Sequence, residues 1–243
     1  MIAIFRKELN TFFSSLIGYV VIGLFLLILG LFLFVFSDTS LLDYGFATLD
    51  PFFQLVPNIF IFIIPAICMR TFAEEQQTGA IELLVTKPLR EWDIVMGKYL
   101  ASLTLVVFAL LPTVLYYYTI YQLGDPVGNI DRGGTLGSYL GLFFLAMSFV
   151  AIGIFASSLT RNQIVSFLLA TALCFWMYFG FDYLSVLPIF YGKSDAFIQS
   201  LGMQQHFNSL GRGLLDSRDL IYFLSITGFF LLLTLLNLER RKW

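Results

Sequence analysis

Long apolar stretches alternate with short polar segments along the whole chain. Six stretches of 19–23 residues occupy roughly residues 16–36, 51–69, 99–121, 138–160, 162–181 and 220–238. An α-helix needs about 20 apolar residues to cross the hydrocarbon layer of a bilayer. The pattern therefore predicts an all-α polytopic membrane protein with six transmembrane helices in a single transmembrane domain over residues 1–243.

Residues 1–15 precede the first predicted span and have an amphipathic pattern. At 100° per residue, their apolar side chains share one helical face and their polar side chains lie off it. This pattern favours a helix lying in the membrane interface, and a frayed amphipathic lead-in is the alternative. The apolar face contains Ile2, Phe5, Leu9, Phe12 and Phe13.

Segment 70–98 is the most highly charged part of the chain. It holds nine of the 30 charged residues (14 basic and 16 acidic), of which four are basic and five acidic. A segment that only bound lipid headgroups would be one-sidedly basic. The near balance instead favours a surface that docks a protein.

The distribution of Lys and Arg predicts the orientation, because these residues accumulate on the cytoplasmic side of membrane proteins. Alternating sides of the six predicted spans hold ten and four of them. The richer side includes both termini and the 70–98 loop, which are therefore predicted to be cytoplasmic. Segment 182–219 is then the longest external loop, and its apolar content, broken by Gly and Pro, predicts one or two short helices.

Composition narrows the classes of function. Apolar residues make up 58% of the chain, charged residues 12%, and the mean hydropathy is +0.85, whereas an ordinary soluble domain carries about 25% charge. This composition indicates that the chain lies in a lipid membrane. The chain has no basic patch outside its short loops, so no nucleic-acid partner is expected. Cys68 and Cys174 lie in apolar stretches and are expected to be core residues, not disulfide partners or metal ligands.

Residues that carry catalysis or ion coupling are scarce. The one histidine, His206, excludes multi-histidine metal sites and is expected to lie exposed or interfacially in a loop. No Asp, Glu, Lys, Arg or His lies within the six predicted spans, although ion-coupled transporters generally bury such residues. The chain is therefore not expected to be an enzyme, and energy for uphill transport must come from another protein.

The second predicted span combines prolines with amide side chains. Prolines free backbone groups that are costly in lipid, so such a helix is covered by neighbours or lines a cavity. A kinked packing helix is the plain interpretation, and a place on a translocation path is the functional one. The candidate path residues are Gln54, Pro57, Asn58 and Pro65.

A short helix is predicted inside the 70–98 loop. Thr78 is expected to cap its N-terminus, and a proline is expected to end it. Apolar residues recur on one face, as in helices that bind in a partner's groove. The residues concerned are Ile81, Leu84 and Val85 on that face, Glu82 near the positive helix end, and Pro88.

At these residues the sequence resembles the ABC-2 type permeases, the membrane subunits of a large class of ABC transporters. The matching pattern is Glu74-Glu-x-x-x-Gly79-x-x-Glu82-Leu-Leu-x-x-x-Pro88, followed by Gly97-Lys98 at the start of the third predicted span. The likeness extends over essentially the whole chain. Within it, stretch 206–241 resembles the gliding-motility-associated permease of Bacteroidetes-type bacteria.

The resemblance implies how the chain works and where. It implies a bacterial inner-membrane protein whose helix near 76–87 sits in a cleft of a separate cytoplasmic ATPase. That ATPase would hold ATP and Mg, so no cofactor is expected in this chain. One six-span chain would be half a pore, which requires a second permease subunit, identical or different; the gliding subgroup favours a different one. The implied coupling residues are Glu74, Glu75, Gly79, Ile81, Glu82, Leu84, Val85 and Pro88.

Two functional hypotheses follow. The first is a permease subunit of an ATP-driven exporter, coupled through the 70–98 loop and linked to gliding motility or cell-envelope export. The alternative is a non-transporting membrane scaffold that recruits a cytoplasmic partner. A membrane-embedded enzyme is poorly supported, because catalytic residues at span depth are lacking.

Overall fold

The computed structural model describes residues 1–37, 39–43, 45–80, 90–188, 192, 195–213 and 216–240. All regular structure in these ranges is helical, without a strand. The α-helices are α1 (Ile2–Ser14), α2 (Leu16–Phe34), α3 (Asp50–Cys68), α4 (Ala73–Gln77), α5 (Glu91–Leu110), α6 (Val114–Leu123), α7 (Arg132–Leu159), α8 (Gln163–Phe175), α9 (Phe181–Ser185), α10 (Asp195–Gln199), α11 (Met203–Gly211) and α12 (Ser217–Glu239).

Several of these helices join into candidate membrane spans. A 3-10 turn (Leu111–Thr113) connects α5 to α6, and a π-helical turn (Trp176–Gly180) connects α8 to α9. Five spans are long and apolar enough to cross a bilayer, and the bent pair of α1 and α2 makes a sixth when counted as one broken span. The all-α polytopic prediction is confirmed. The five spans are Asp50–Gln77, Glu91–Leu123, Arg132–Leu159, Gln163–Ser185 and Ser217–Glu239.

Helix α7 is the central helix of the bundle and contacts α3, α5, α8, α11 and α12. Small residues on its surface allow this close packing. A Cβ atom added at Gly153 would lie 2.7 Å from the Cβ of Cys68 on α3. The helix also hydrogen-bonds to α12, where Ser148 Oγ donates to the carbonyl of Phe223 at 3.2 Å. Polar groups at the interface thus stay satisfied inside an apolar bundle.

Side-chain caps set the beginnings of three helices. Asp131 accepts hydrogen bonds from the backbone amides of Gly133 and Gly134 at the start of α7. Asn162 caps α8 and Asp216 caps α12 in the same way. Because Asp and Asn are strong N-cap residues, the local sequence determines where these three helices begin.

The Gly137-x-x-x-Gly141 spacing on α7 predicts close helix approach, and the structure confirms it. The neighbour is the short helix α11. A Cβ atom at Gly141 would lie 3.2 Å from the Phe207 ring, and one at Gly137 would clash with the carbonyl oxygen of Leu210. The backbone of α7 at Gly137 therefore packs directly against the backbone at the end of α11.

The prediction that His206 lies exposed in a loop is wrong, whereas an interfacial position stays a prediction. His206 lies in α11, its side chain is 15% exposed, and its ring stacks on Tyr222 with 3.9 Å between centroids. Nδ1 lies 2.6 Å from Asp219 Oδ1, and Nε2 lies 2.9 Å from the carbonyl of Ser200. Both ring nitrogens thus lie within hydrogen-bonding distance of an oxygen atom, which fixes the orientation of the ring.

Replacing His206 with Phe is expected to destabilise the protein by about 1.5–3 kcal/mol, the usual contribution of a hydrogen bond to a charged group. Phe preserves a ring against Tyr222 but leaves Asp219, 5% exposed, without its partner. Unfolding in detergent measures the effect. His206→Phe combined with Asp219→Leu should recover most of the loss, and simple additivity of the two changes would show that the pair is not coupled.

Candidate functional site

Charged residues from three separate parts of the chain meet at one end of the bundle, called here the charged end. Lys7 and Glu8 come from α1, Glu75 from α4 and Lys98 from α5. These four residues form the ion-pair cluster. Two positive and two negative charges balance within it, as buried charges require.

Lys98 is the centre of the ion-pair cluster, with only 1% of its side chain exposed. Its Nζ donates hydrogen bonds to Glu8 Oε1 at 2.9 Å and to the carbonyl of Thr71 at 2.6 Å. Glu75 Oε2 lies 2.9 Å from the same Nζ, in an ionic contact whose angles fall outside those of a hydrogen bond. Through its Nζ atom, Lys98 on α5 therefore contacts both α1 and the segment that follows α3.

Lys7 closes the ion-pair cluster on its outer side. Its Nζ donates to Glu75 Oε1 at 2.6 Å and to Glu8 Oε1 at 3.3 Å. The Lys7 side chain is 53% exposed, so water screens these contacts more than those of Lys98. A cleft of about 200 Å³ opens beside the cluster, between α1 and the segment that contains Arg70 and Glu74.

The close approach of α1 to α5 depends on Gly97. A Cβ atom at this position would lie 2.9 Å from the Cβ of Ile4. Ile4 and Glu8 are one helical turn apart, and both are buried. Glycine thus brings α1 close enough for Glu8 to reach Lys98, the next residue on α5.

The segment after α3 is fixed to the end of α7. Ser157 Oγ accepts hydrogen bonds from the backbone amides of Phe72 and Ala73 and donates to the carbonyl of Met69. Gln76 Nε2 donates to the carbonyl of Ser158 at 3.0 Å. The ion-pair cluster is therefore anchored to the central helix as well as to α1 and α5.

The predicted coupling residues are only partly placed. Glu74 pairs with Arg70 one turn earlier, with 2.7 Å between Oε2 and Nε, and Glu75 joins the ion-pair cluster. Gly79 has φ +74°, the left-handed conformation that ends helices. The other predicted coupling residues lie outside the described residues, namely Ile81, Glu82, Leu84, Val85 and Pro88.

The N-cap prediction for Thr78 is wrong. Thr78 is the C-cap of α4, and its Oγ1 donates to the carbonyl of Glu74 at 2.9 Å. The left-handed turn at Gly79 directly follows it and stops α4. A helix C-terminus ending in Gly is a common arrangement, and the Thr-Gly pair is better interpreted that way.

Sequence reasoning missed Glu8 and Lys98. The charge pattern puts Lys98 at the end of the polar 70–98 segment, but α5 begins at Glu91, so this lysine lies well inside a helix. Glu8 has no motif around it in the sequence, although the structure shows it buried on α1 together with Ile4. The signal that could have found the pair is the Gly97-Lys98 dipeptide, in which glycine permits close approach and lysine needs a buried counter-charge.

A second polar region lies at the opposite end of the bundle, because α3 begins there and runs toward the charged end. A cavity of about 420 Å³ is lined in part by Asp50, Gln54 and Asn58 of α3. Two of the predicted path residues, Gln54 and Asn58, are thus brought to a cavity. The other two, Pro57 and Pro65, are buried in the packing of α3.

Comparison with known proteins gives one family. The sequence model described as ABC-2 family transporter protein matches residues 2–238. No curated protein sequence matches the chain. The match covers nearly all of the helical bundle, including both ends. The chain therefore belongs to the ABC-2 transporter family, as a multi-pass membrane permease subunit.

Proposed function

We propose that this chain is the permease subunit of an ATP-driven exporter. A separate cytoplasmic ATPase drives it by binding its 70–98 segment. Membrane subunits of this family work with an ATPase partner and as dimers. ATP and Mg bind to that partner, and no cofactor is assigned to this chain. The ATPase docks on residues 76–87, and its movement reaches the spans through the ion-pair cluster.

The observation that carries this proposal is the ion-pair cluster itself. Glu75 directly precedes the docking segment and contacts α1 through Lys7 and α5 through Lys98. The same segment is bonded to α7 through Ser157. A displacement of the docking segment is thereby passed to three helices at once, since buried ion pairs resist separation.

The arrangement of the chain ends supports a cytoplasmic charged end. The amino group of Met1 lies 3.5 Å from Asp93 Oδ1, and Asn237 near the end of α12 donates to the carbonyl of Ser158. Both ends of the described chain thus lie at the charged end. Because Lys and Arg concentrate on this side, the positive-inside rule orients it toward the cytoplasm of a bacterial inner membrane.

The second permease subunit is proposed to be a different chain. Stretch 206–241 resembles the gliding-motility-associated permeases, in which the partner is a larger permease-type protein. A role in gliding motility or cell-envelope export follows from the same likeness. The scaffold hypothesis predicts that the 70–98 segment recruits a cytoplasmic partner but that the spans do not move.

The test compares two glutamates, one inside and one outside the ion-pair cluster, in the complex with its co-purifying subunits in lipid nanodiscs. Cysteines at Asn10 on α1 and Leu136 on α7 are spin-labelled, since the native Cys68 and Cys174 are buried. Wild type should show a change in the distance between labels when ATP and vanadate are added. Glu75→Gln should lose most of this change while the ATPase remains bound.

Glu239→Gln is the control, because Glu239 is exposed at the end of α12 and is not one of the predicted coupling residues. This variant should respond as wild type does. A melting curve of the Glu75→Gln complex establishes that it is folded. Failure of any ATPase to co-purify would overturn the proposal, and an unchanged label distance in wild type would favour the scaffold.

A further inference from the structure

One face of α3 carries a stripe of polar side chains at the end opposite the ion-pair cluster. Asp50, Gln54 and Asn58 follow one another at intervals of four residues, and all three are exposed. Positions separated by four lie on the same face of a helix. Such a stripe is costly against lipid, so it is expected to face water or a ligand. The next position along the stripe is Phe62, where the polar character ends.

Helix α11 presents a second amide stripe to the same cavity. Gln204 and Asn208 are four residues apart, and both line the cavity together with Gln54 and Asn58. The opposite face of α11 is buried against α7. Gln204 Oε1 is buried and has no hydrogen-bond partner in the described part of the chain. Unsatisfied buried acceptors are rare, so this atom points to a missing donor.

Aromatic rings form another wall of the cavity. Tyr178 and Phe179 come from the π-helical turn between α8 and α9, and Phe53 and Phe207 come from the two striped helices. π-Helical turns are rare and are often found at functional sites. Here the turn places two consecutive rings, 4.7 Å apart between centroids, at the cavity.

The charge of the lining restricts the ligand. Among the described residues, no Lys or Arg lines the cavity, and Asp50 is its acidic lining residue. Phosphates and carboxylates are usually bound by Arg, Lys or clustered backbone amides. The absence of Lys and Arg from the described lining, together with the Asp50 carboxylate, disfavours an anionic ligand. The volume of about 420 Å³ lies within the range of small-molecule sites.

We propose that this cavity binds an uncharged, hydroxyl-rich group of the saccharide class. Amide side chains both donate and accept, as hydroxyl groups do, and aromatic faces pack against the apolar faces of sugar rings. Gln204 Oε1 accepts from a ligand hydroxyl, and Asn58, whose Nδ2 already donates to the carbonyl of Gln54, offers its Oδ1. The assignment rests on the proposed transport function for its biological role, but binding requires neither ATP nor the ATPase.

The experiment measures binding to the full chain in phosphatidylcholine nanodiscs, because detergents with sugar headgroups would compete. One arm titrates maltotriose and follows it by saturation-transfer NMR. A second arm incorporates monoglucosyl diacylglycerol and follows it by native mass spectrometry. Inorganic phosphate is the anionic comparison. A free saccharide and a glycolipid present the same hydroxyl groups to the cavity. Tighter binding of one of them shows whether the natural ligand is a free sugar or a lipid headgroup.

Two neighbouring glutamines provide the matched variants. Gln204 lines the cavity, whereas Gln205 is exposed and absent from its lining. Gln204→Leu should weaken binding about tenfold, the upper range for loss of one hydrogen bond, and Gln205→Leu should leave it unchanged. The proposal is overturned if neither sugar binds saturably, if both variants weaken binding equally, or if phosphate binds in preference.

This outcome is separable from that of the spin-label experiment. Intact sugar binding with no nucleotide-driven movement would remove the exporter proposal alone. Normal movement with no sugar binding would remove the saccharide assignment alone.

Discussion

Replacing Lys98 with Met is expected to destabilise the protein by about 3–5 kcal/mol, because it leaves two buried carboxylates with only the half-exposed Lys7 as a counter-charge. Lys98 is 1% exposed and contacts both Glu8 and Glu75 at 2.9 Å. Met fills a similar volume, so the loss reports charge and hydrogen bonding more than packing. Chemical or thermal unfolding in detergent measures it.

Lys7→Met is the matched control for this prediction. It removes a lysine from the same ion-pair cluster, but its side chain is 53% exposed. Exposed ion pairs contribute about 0–1 kcal/mol, so the effect should be several times smaller. Adding Glu8→Gln and Glu75→Gln to Lys98→Met should recover much of the stability. Equal effects of the two lysine variants would contradict the buried position of Lys98.

Replacing Gly137 with Leu is expected to detach α11 from α7. A Cβ atom at Gly137 would clash with the carbonyl of Leu210 and would lie 3.2 Å from Cα of Gly213. Backbone atoms cannot move aside as side chains do, so the cost should reach or exceed the usual 1–3 kcal/mol of overpacking. Because α11 carries Gln204 and Asn208, sugar binding should be lost together with stability.

Gly228 on α12 is the control for the glycine prediction. It is also a helical glycine, but a Cβ atom there meets nothing within 4 Å. Gly228→Ala should therefore leave stability unchanged or raise it by about 0.5–1 kcal/mol through the higher helix propensity of Ala. Limited proteolysis of 195–213 would reveal a detached α11 in Gly137→Leu. Continued protection of that segment would argue against close packing at this position.

The two functional regions are joined by α3. Gln54 and Asn58, in the N-terminal half of α3, line the cavity. Arg70, Glu74 and Glu75 follow the C-terminal end of α3. Pro57 and Pro65 lie between them inside the helix. A helix interrupted by prolines bends more easily than a regular one. Tilting of α3 by the docking segment would therefore change the cavity, which connects the two proposals physically.

Hydrophobic periodicity and length determine much of this protein from sequence. Apolar stretches of about 20 residues predict helices in lipid, because an isolated backbone in hydrocarbon has to satisfy its own hydrogen bonds. The charge of segment 70–98, the amphipathic start and the Asp and Asn caps are equally local features. The ABC-2 resemblance at Glu74 through Pro88 is likewise recognised from the order of residues alone, and the family match confirms it.

Tertiary structure alone decided which polar residues meet. Glu8 and Lys98 are 90 positions apart and pair because Gly97 lets α1 pack on α5. His206 on α11 meets Asp219 on α12, and the amides of α3 and those of α11 line the same cavity. Periodicity assigns a residue to a face of its own helix but does not say which helix lies opposite. That choice depends on how all the helices pack together, where a few glycines decide how close two backbones come.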